Sequence, residues 1–578
     1  MGKAAGVPDC TQLLVLTDDT VVDNLRLRYE ADEVHTNVGS MLVVLNPYRE
    51  LPIYEEAQMN SHVGVRLANA QPHVFAIAEE AYLSLMRSST SQAILVSGES
   101  GAGKTETSKR LVQYISFRAR KDPSKAASKL ADALVRSNPS LEAFGNASNT
   151  RNANSSRFAK FVQLHVSNEG ELTKASIATF LLEKTRVASH AAGERNYHIF
   201  YQLIAGVADN APLAEQRRRV LKLSAFATPQ AFDYLRPAAS ALGAKPPTST
   251  PPPFEPDALE QTVQRLAAGG LASYQSSSVL KIISAVLHLG CAQFELAVGG
   301  ADGSRVIGGE AVLAPVASLL GVMEMSSLLL ERRLTIAGLK EELVIKLTPA
   351  QCAGARDALA RALYELAFLW LVRAMNRSMW GAEGGGDMPF IGMLDVFGFE
   401  DFAVNNFEQL CINFCNERLQ QFLVERIFKA EVRLYAEEGV PLPGGGALAF
   451  ADNIRCIELL SGIPHGIFRL LDSQCISPQA TDARFFAEIN AQHFSHPFLK
   501  APATREGKAA HADEGFKVKH YAADVVYSGA GFVQKNADSL DAHVAQALRA
   551  SSEQLVIELL ELARQREGGG QKKKPMGR

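Results

Sequence analysis

The sequence is short of cysteine, of long apolar runs and of net charge. Only seven of its 578 residues are cysteines, and none of them forms a CxxC pair or a regular disulfide framework. We therefore expect reduced thiols in an intracellular protein rather than a secreted disulfide scaffold. An apolar run of about 18 residues and a signal-peptide pattern are also missing, so the sequence predicts a cytoplasmic chain without a membrane segment.

The near balance of charges limits the kinds of partner. The chain has 59 basic and 62 acidic residues, which leave a formal net charge of −3. A broadly basic surface is not indicated, and we expect no nucleic-acid partner. Hydrophobic residues make up 47% of the chain and include 28 phenylalanines, which is enough for large cores. The length predicts roughly three or four domains, and we find no internal repeats.

The most informative segment is 98–105, Gly-Glu-Ser-Gly-Ala-Gly-Lys-Thr, which fits GxxxxGK[ST]. It follows an apolar run at 93–96 and precedes a helical pattern, which is the strand–loop–helix setting of a nucleoside-triphosphate loop. A glycine-rich turn without a ligand is the alternative, and that setting disfavours it. Backbone N–H groups would surround the phosphates, Lys104 would reach the β- and γ-phosphates, and Thr105 would ligate Mg²⁺. The residues predicted to hold the nucleotide phosphates are Gly98, Glu99, Ser100, Gly101, Ala102, Gly103, Lys104 and Thr105.

Two further segments carry chemistry that suits a triphosphate. The first, 152–158, is Asn-Ala-Asn-Ser-Ser-Arg-Phe, and the second, 395–400, is Asp-Val-Phe-Gly-Phe-Glu at the end of an apolar run. Asp395 could hold the metal through water, and Gly398 would let a backbone N–H approach the γ-phosphate. Glu400 could pair with Arg157. Alone, the first segment could be a polar turn and the second a strand end, but their order after the phosphate loop favours a shared site.

The rest of the chain predicts alternating strands and helices. We expect strands at 158–166, 175–182 and 390–396, with a turn at 167–170. Helical patterns fill 195–380 apart from a proline-rich loop at 237–253, and a glycine-rich hinge covers 381–387. The longest helix is predicted at about 406–438, which at 1.5 Å per residue could carry a displacement across a domain.

The three nucleotide segments resemble the P-loop, switch I and switch II of the myosin motor head. The resemblance extends over nearly the whole chain, at 46–54, 138–152, 181–187, 193–201, 407–421, 520–522 and 535–538. It implies an α/β fold, with a P-loop NTPase core whose mostly parallel central sheet is flanked by helices. Largely helical upper and lower subdomains would form an actin cleft.

The resemblance also implies a division of the chain. Residues 7–578 would be an incomplete motor domain. Its parts would be 7–185 with the P-loop and switch I, 186–388 as the upper cleft subdomain, 389–567 with switch II, the relay helix and the lower subdomain, and 568–578 as a basic surface loop.

The implied activity is an actin-stimulated Mg-ATPase on the actin cytoskeleton, with ATP and Mg²⁺ as cofactors and filamentous actin as partner. In this assignment Ser155 positions the lytic water, and a salt bridge between Arg157 and Glu400 closes the site before hydrolysis. Lys104 and Gly398 complete the predicted catalytic set. The resemblance also implies that the adenine contacts Asn46, Pro47 and Tyr54 and that a phosphate contacts Asn152. Mg²⁺ would be held by Thr105, Ser156 and Asp395.

Actin contacts are implied for a helix–turn–helix at 466–490 and for the basic segment 568–578, whose lysines would steer encounter. A merely solubilising tail is the alternative for that segment. Glu341 would occupy the actin-side loop position where some relatives carry a phosphorylatable residue.

Three departures from the family pattern bear on these expectations. Ala159 stands where the family usually has glycine, which puts switch I mobility in question. The chain would begin almost at the head's first helix, without the small N-terminal β-barrel that many myosins carry and some classes naturally lack, and it would stop inside the basic loop. The converter, the lever and its light chains would lie beyond, so we expect no productive stroke from this chain.

Two alternatives follow. A kinesin-type motor shares a similar switch I but carries a different switch II. A truncated, nucleotide-sensitive actin-binding module would bind without useful hydrolysis, and ATPase assays with and without actin separate it from a motor head.

Overall fold

The structure is a computed structural model, and it describes most of the chain. The described residues are 6–120, 126–150, 152–191, 193–208, 210–224, 227–236, 254–297, 303–335, 342–379, 388–441, 450–477, 479–500, 511, 513–537 and 540–569. The proline-rich loop, the 381–387 hinge, Glu341 and the segment 570–578 therefore fall outside the described residues. Within them, no helix is both long enough and apolar enough to cross a membrane.

The helices of the described chain, α1 to α20, are Asp18–Glu30, Glu56–His62, Val74–Ser88, Lys104–Arg118, Ala126–Gly145, His198–Ala205, Ala214–Leu221, Ala258–Ala268, Ser273–Gly290, Glu310–Leu320, Met325–Leu330, Pro349–Met379, Phe407–Leu423, Ala430–Glu437, Ile454–Ser461, Ile467–Ile476, Asp482–Gln492, Phe532–Asn536, Ala542–Arg549 and Gln554–Gly569. The strands, β1 to β15, are His35–Val38, Met41–Val44, Gln92–Val96, Asn146–Ala147, Ser155–Ser156, Ala159–Val166, Leu172–Phe180, Phe294–Leu296, Ser304–Val306, Glu331–Thr335, Glu342–Lys346, Phe390–Asp395, Leu499–Lys500, Phe516–Lys519 and Asp524–Tyr527.

The chain divides into two compact units. The first unit contains residues 1–396 and 541–560, and the second contains 397–540 and 561–578.

A four-stranded sheet with the order β3-β12-β6-β7 forms the centre of the first unit. β12 runs parallel to β3 and antiparallel to β6, and β6 runs antiparallel to β7. The prediction of a mostly parallel sheet is therefore wrong for the described strands, which form a mixed sheet. The reason is local: β6 and β7 are joined by the turn at 167–170, and a connection that short permits only an antiparallel hairpin.

The sheet is tightly packed on its central strand. Gly392 lies in the middle of β12, and a Cβ placed there would come within 2.4 Å of the Phe161 ring from β6. Glycine at this position therefore makes room for a bulky aromatic neighbour.

Helix α12 covers the outer edge of β7. Asn376 accepts a hydrogen bond from the Ile177 N–H and donates one to the Ile177 carbonyl, both at 2.8 Å. These contacts satisfy backbone groups of an edge strand that would otherwise lack partners. With 31 residues, α12 is an uninterrupted α-helix.

The second unit is built around α13 and a three-stranded sheet of β13, β14 and β15. An aromatic core of Phe485, Phe486, Phe516 and Phe532 has ring centroids 5.4 to 6.2 Å apart. The predicted long helix begins close to its expected start, but a π-helical segment, Val424–Lys429, separates α13 from α14. Because α13, this segment and α14 follow one another without a break over 407–437, the helix predicted at about 406–438 is present, and its length equals the 31 residues of α12.

Candidate nucleotide-binding site

The segment 98–105 joins β3 to α4, as the sequence predicts. Gly98, Gly101 and Gly103 have positive φ values of 151°, 86° and 94°. Side chains with a Cβ rarely adopt this backbone region, so the glycines allow the loop to curl with its N–H groups pointing inward. Gly103 is the N-cap of α4, and the positive end of the helix dipole therefore lies at the loop.

Lys104 lies over the loop that precedes it. Its Nζ donates hydrogen bonds to the carbonyl oxygens of Gly98 and Glu99, each at 2.7 Å. The ammonium group is therefore held at the mouth of the loop, where a phosphate oxygen could replace either carbonyl.

Thr105 and Asp395 lie next to each other although they are distant in sequence. Thr105 Oγ1 is 3.3 Å from Asp395 Oδ2, and Lys160 Nζ is 3.6 Å from the same oxygen. β3 and β12 are parallel, with Val96 opposite Asp395, so their carboxyl ends meet at one edge of the sheet. Hydroxyl and carboxylate oxygens are the ligands that Mg²⁺ prefers. The residues at this edge therefore fit a magnesium ion.

The segment predicted as switch I is anchored to the end of α5. Its strand β5 pairs with β4, so that Asn146 faces Ser156 and Ala147 faces Ser155. Ser156 Oγ donates to the Phe158 carbonyl at 2.8 Å, which leaves its lone pairs for a cation.

Two contacts bring this segment to the phosphate loop and set its conformation. Ser155 Oγ lies 3.3 Å from Ser100 Oγ of the loop. Asn152 Oδ1 accepts from the Asn154 N–H at 2.9 Å, which leaves the amide NH₂ of Asn152 as the group that can donate to a phosphate.

Arg157 is buried, with 1% of its surface exposed. Its Nε forms a hydrogen-bonded ion pair with Glu183, and its Nη1 lies 3.5 Å from Ser155 Oγ. The guanidinium is thus held beside the side chain predicted to position water.

Gly398 and Glu400 belong to the second unit. Glu400 is 4% exposed, and its Oε2 accepts from Gln409 Nε2 at 3.1 Å. Asn413 of α13 hydrogen-bonds both the N–H and the carbonyl of Glu400, at 2.9 and 2.8 Å. The Glu400 backbone is therefore tied to the helix. Its pairing with Arg157 stays a prediction.

On the predicted adenine side, Asn46 is brought to the phosphate loop. Its Nδ2 donates to the Gly101 carbonyl at 2.8 Å, and Pro47 follows it directly. Tyr54 lies under the guanidinium of Arg110 from α4, 4.6 Å from its ring centroid, and its hydroxyl is 3.3 Å from His35 Nε2.

The family model for the myosin head (motor domain) matches residues 7–576. The chain belongs to the myosin head family. It is 36% identical to the myosin-I heavy chain of Dictyostelium discoideum, 34% identical to the myosin IE heavy chain of the same organism, and 36% identical to the unconventional myosin-VI of Bos taurus. Each similarity covers 96% of this chain, but only 22%, 54% and 44% of the respective relative.

In this myosin head, Ala159 causes no backbone strain. It is the first residue of β6, pairs with Phe180 of β7, and is 2% exposed. A residue with a Cβ adopts extended backbone readily, so the alanine fits the strand.

Sequence reasoning missed two buried groups that contact the predicted site residues. Glu183, which holds Arg157, was visible only as an acidic residue directly after a strand. The other is a buried histidine group, His35, His62 and His73, beneath Tyr54. Burial, with smaller contributions from neighbouring positive charge, lowers the pKa of His35 to about 4 and that of His73 to about 3. The three histidines are spread over 39 residues of sequence and form no local motif, so the sequence alone did not predict that they would meet in the fold.

Proposed function

We propose that this myosin head binds and hydrolyses MgATP and couples its nucleotide state to its affinity for filamentous actin. The observation that carries the proposal is the meeting of Thr105 and Asp395 beside the P-loop lysine, with their oxygens 3.3 Å apart. A hydroxyl, a carboxylate and an ammonium around a glycine-rich loop are the groups that phosphoryl transfer needs.

Each group has a distinct task in the proposed reaction. Lys104 binds the β- and γ-phosphates, while Thr105, Ser156 and Asp395 hold the metal directly or through water. A bound Mg²⁺ neutralises charge that develops on the phosphates. Ser155 orients the attacking water, and the backbone N–H of Gly398 contacts the terminal phosphate.

The proposed gate is the pairing of Arg157 with Glu400. A surface ion pair contributes about 0–1 kcal/mol, but each of these residues is at least nine-tenths buried. Breaking a buried pair by removing one partner costs about 3–5 kcal/mol, because a charge is left without compensation. If the pair forms only when a triphosphate is bound, closure of the nucleotide site therefore depends on the presence of the γ-phosphate.

Actin is the proposed partner, and the actin cytoskeleton the proposed location. In the second unit, α16 and α17 form the helix–loop–helix predicted to meet actin. Large apolar side chains are exposed around it, with Ile463 at 82%, Ile476 at 80% and Phe494 at 82%. The segments that carry Ile463 and Phe494 are in contact, since His493 Nε2 lies 2.7 Å from the His465 carbonyl, and neighbouring exposed apolar side chains suit a protein interface.

The test is steady-state ATPase activity of the purified chain with and without filamentous actin. A motor head hydrolyses ATP, and actin raises the rate. Cosedimentation that is ATP-sensitive without turnover would support the binding module instead, an alternative that the comparisons do not favour. Lys104→Ala is the control, because it should abolish both nucleotide binding and turnover.

A further inference from the structure

Glu183 occupies a buried position between two arginines. Its side chain is 10% exposed, while those of Arg157 and Arg186 are 1% and 2% exposed. Glu183 Oε2 accepts from Arg157 Nε and, at 3.1 Å, from Arg186 Nε, and Oε1 lies 3.0 Å from Arg186 Nη2. One carboxylate thus contacts both guanidinium groups.

Backbone hydrogen bonds also hold Glu183 and Arg157 next to each other. The Glu183 N–H donates to the Arg157 carbonyl at 3.0 Å, and the Arg157 N–H donates to the Gly145 carbonyl at 2.8 Å. The Tyr197 hydroxyl donates to the Glu183 carbonyl at 2.8 Å. Neither residue can therefore shift its backbone without breaking hydrogen bonds in a buried region.

The electrostatics keep Glu183 ionised. Burial pushes the pKa of its carboxyl upward, but the guanidinium groups of Arg157 and Arg186 outweigh burial and hold that pKa at about 2. The positive charge of Arg186 has a second acidic partner, Glu194, whose Oε2 is 2.6 Å from Arg186 Nη2. Glu183 is therefore a permanent anion at neutral pH.

A guanidinium is planar, so a partner that binds its Nε fixes the direction in which its terminal nitrogens point. Glu183 takes the Nε of Arg157, and the terminal Nη1 lies 3.5 Å from Ser155 Oγ in switch I. We propose that Glu183 is the positioning residue that orients Arg157, so that its terminal nitrogens face switch I and the site of the γ-phosphate. This role rests on the proposed ATPase function, because Arg157 matters there as the gate.

The competing explanation is that Glu183 only stabilises the fold. Glu194 provides a matched control, because its side chain is 8% exposed and it also pairs with Arg186. A purely structural role predicts that loss of either carboxylate has similar consequences. A positioning role predicts that hydrolysis depends on Glu183 alone.

The experiment compares the full chain with Glu183→Gln, Glu183→Asp and Glu194→Gln. Single-turnover hydrolysis of MgATP, the Kd of a fluorescent ATP analogue and the Tm are measured for each. We expect both Glu183 variants to slow hydrolysis on the order of 10- to 100-fold, as loss of a supporting partner does elsewhere, with nucleotide Kd changed less than about threefold. Glu194→Gln should lower the Tm yet keep hydrolysis within about twofold.

Glu183→Asp retains the buried charge and tests the proposal if Glu183→Gln does not fold. Hydrolysis within about twofold of wild type in the Glu183 variants would overturn the proposal, as would an equal loss in Glu194→Gln.

A crystal structure tests the role of Glu183 independently of the proposed ATPase function. In a crystal structure of Glu183→Asp, the Arg157 Nη1 contact with Ser155 should be lost. If Arg157 keeps that contact, the positioning role is wrong whatever the turnover. If the wild-type chain does not hydrolyse ATP at all, the proposed function fails, and this comparison still decides the role of Glu183.

Discussion

Thr105 Oγ1 lies 3.3 Å from Asp395 Oδ2 across a separation of 290 residues. The contact exists because β3 and β12 are parallel neighbours in register, so that Asp395 at the end of β12 and the loop after β3 meet at one edge. This edge is where open α/β sheets bind their ligands. The proposed metal site is therefore a consequence of strand pairing rather than of any single loop.

Asp395→Asn should weaken the use of Mg²⁺ while leaving the phosphate loop intact. The amide keeps the size of the side chain but loses the charge that attracts the cation and compensates Lys160. We expect the Mg²⁺ concentration for half-maximal ATPase to rise about 10- to 100-fold. Titration of ATPase activity with Mg²⁺ measures this, and an unchanged titration curve would rule out Asp395 as a metal-holding residue.

Arg157→Ala should abolish turnover and spare ATP binding. The substitution removes the proposed partner of Glu400, but the loop that binds the phosphates does not depend on that pair. Stopped-flow binding of a fluorescent nucleotide and single-turnover hydrolysis separate the two effects. Near-normal hydrolysis in this variant would refute the gate.

The buried histidines should make the stability of the protein fall in mild acid. The pKa of His35 is about 4 and that of His73 about 3 in the folded state, against an ordinary value of 6.5. Below pH 6.5 the unfolded chain binds more protons than the folded chain, so stability falls as the pH drops from 6.5 towards 4. Each histidine contributes up to about 1.4 kcal/mol per pH unit in this window.

The neighbouring positive charges act in the same direction as burial, whereas the Ile53 carbonyl, 3.0 Å from His73 Nε2, raises the pKa of His73 and opposes them in part. Arg28 and His62 face His35, and both His35 and His62 face His73. His73 Nδ1 also accepts from the Phe75 N–H at 3.0 Å as the N-cap of α3, which protonation would break. Urea unfolding at pH 7.5, 6.0 and 5.0 measures the slope. His73→Asn keeps a side chain that can cap α3 but removes the imidazole, so the stability of this variant should depend less steeply on pH. An unchanged pH dependence would contradict the assignment of the acid sensitivity to His73.

Gly392→Ala should destabilise the central sheet. The new methyl group would meet the half-buried Phe161 ring at 2.4 Å. Overpacking of this kind costs about 1–3 kcal/mol. Gly354→Ala in α12 is the control, because a Cβ there meets nothing within 4 Å, and alanine in a helix should instead stabilise by about 0.5–1 kcal/mol. Denaturation midpoints of the two variants should therefore move in opposite directions.

Local chemistry was sufficient to predict several elements. The glycines of the phosphate loop, the strand at 159–166 and the turn at 167–170 depend on neighbours a few residues away, so their sequence carries their conformation. Helix α13 begins at Phe407 with the cap residue Asn406, close to the predicted start. The mixed sheet was missed because a resemblance to a family describes a whole architecture, whereas strand direction follows from each connection.

What the amino-acid order alone determined, then, is the chemistry: a loop that can bind a triphosphate, and a hydroxyl, a carboxylate and a guanidinium that can act on it. Only the tertiary structure decided which of them meet. Asp395 reaches Thr105 through the register of two strands, and Glu183 reaches Arg157 across 26 residues because both lie in one buried polar cluster. Contacts of this kind depend on packing and on the compensation of buried charge, which act between segments that no local pattern connects.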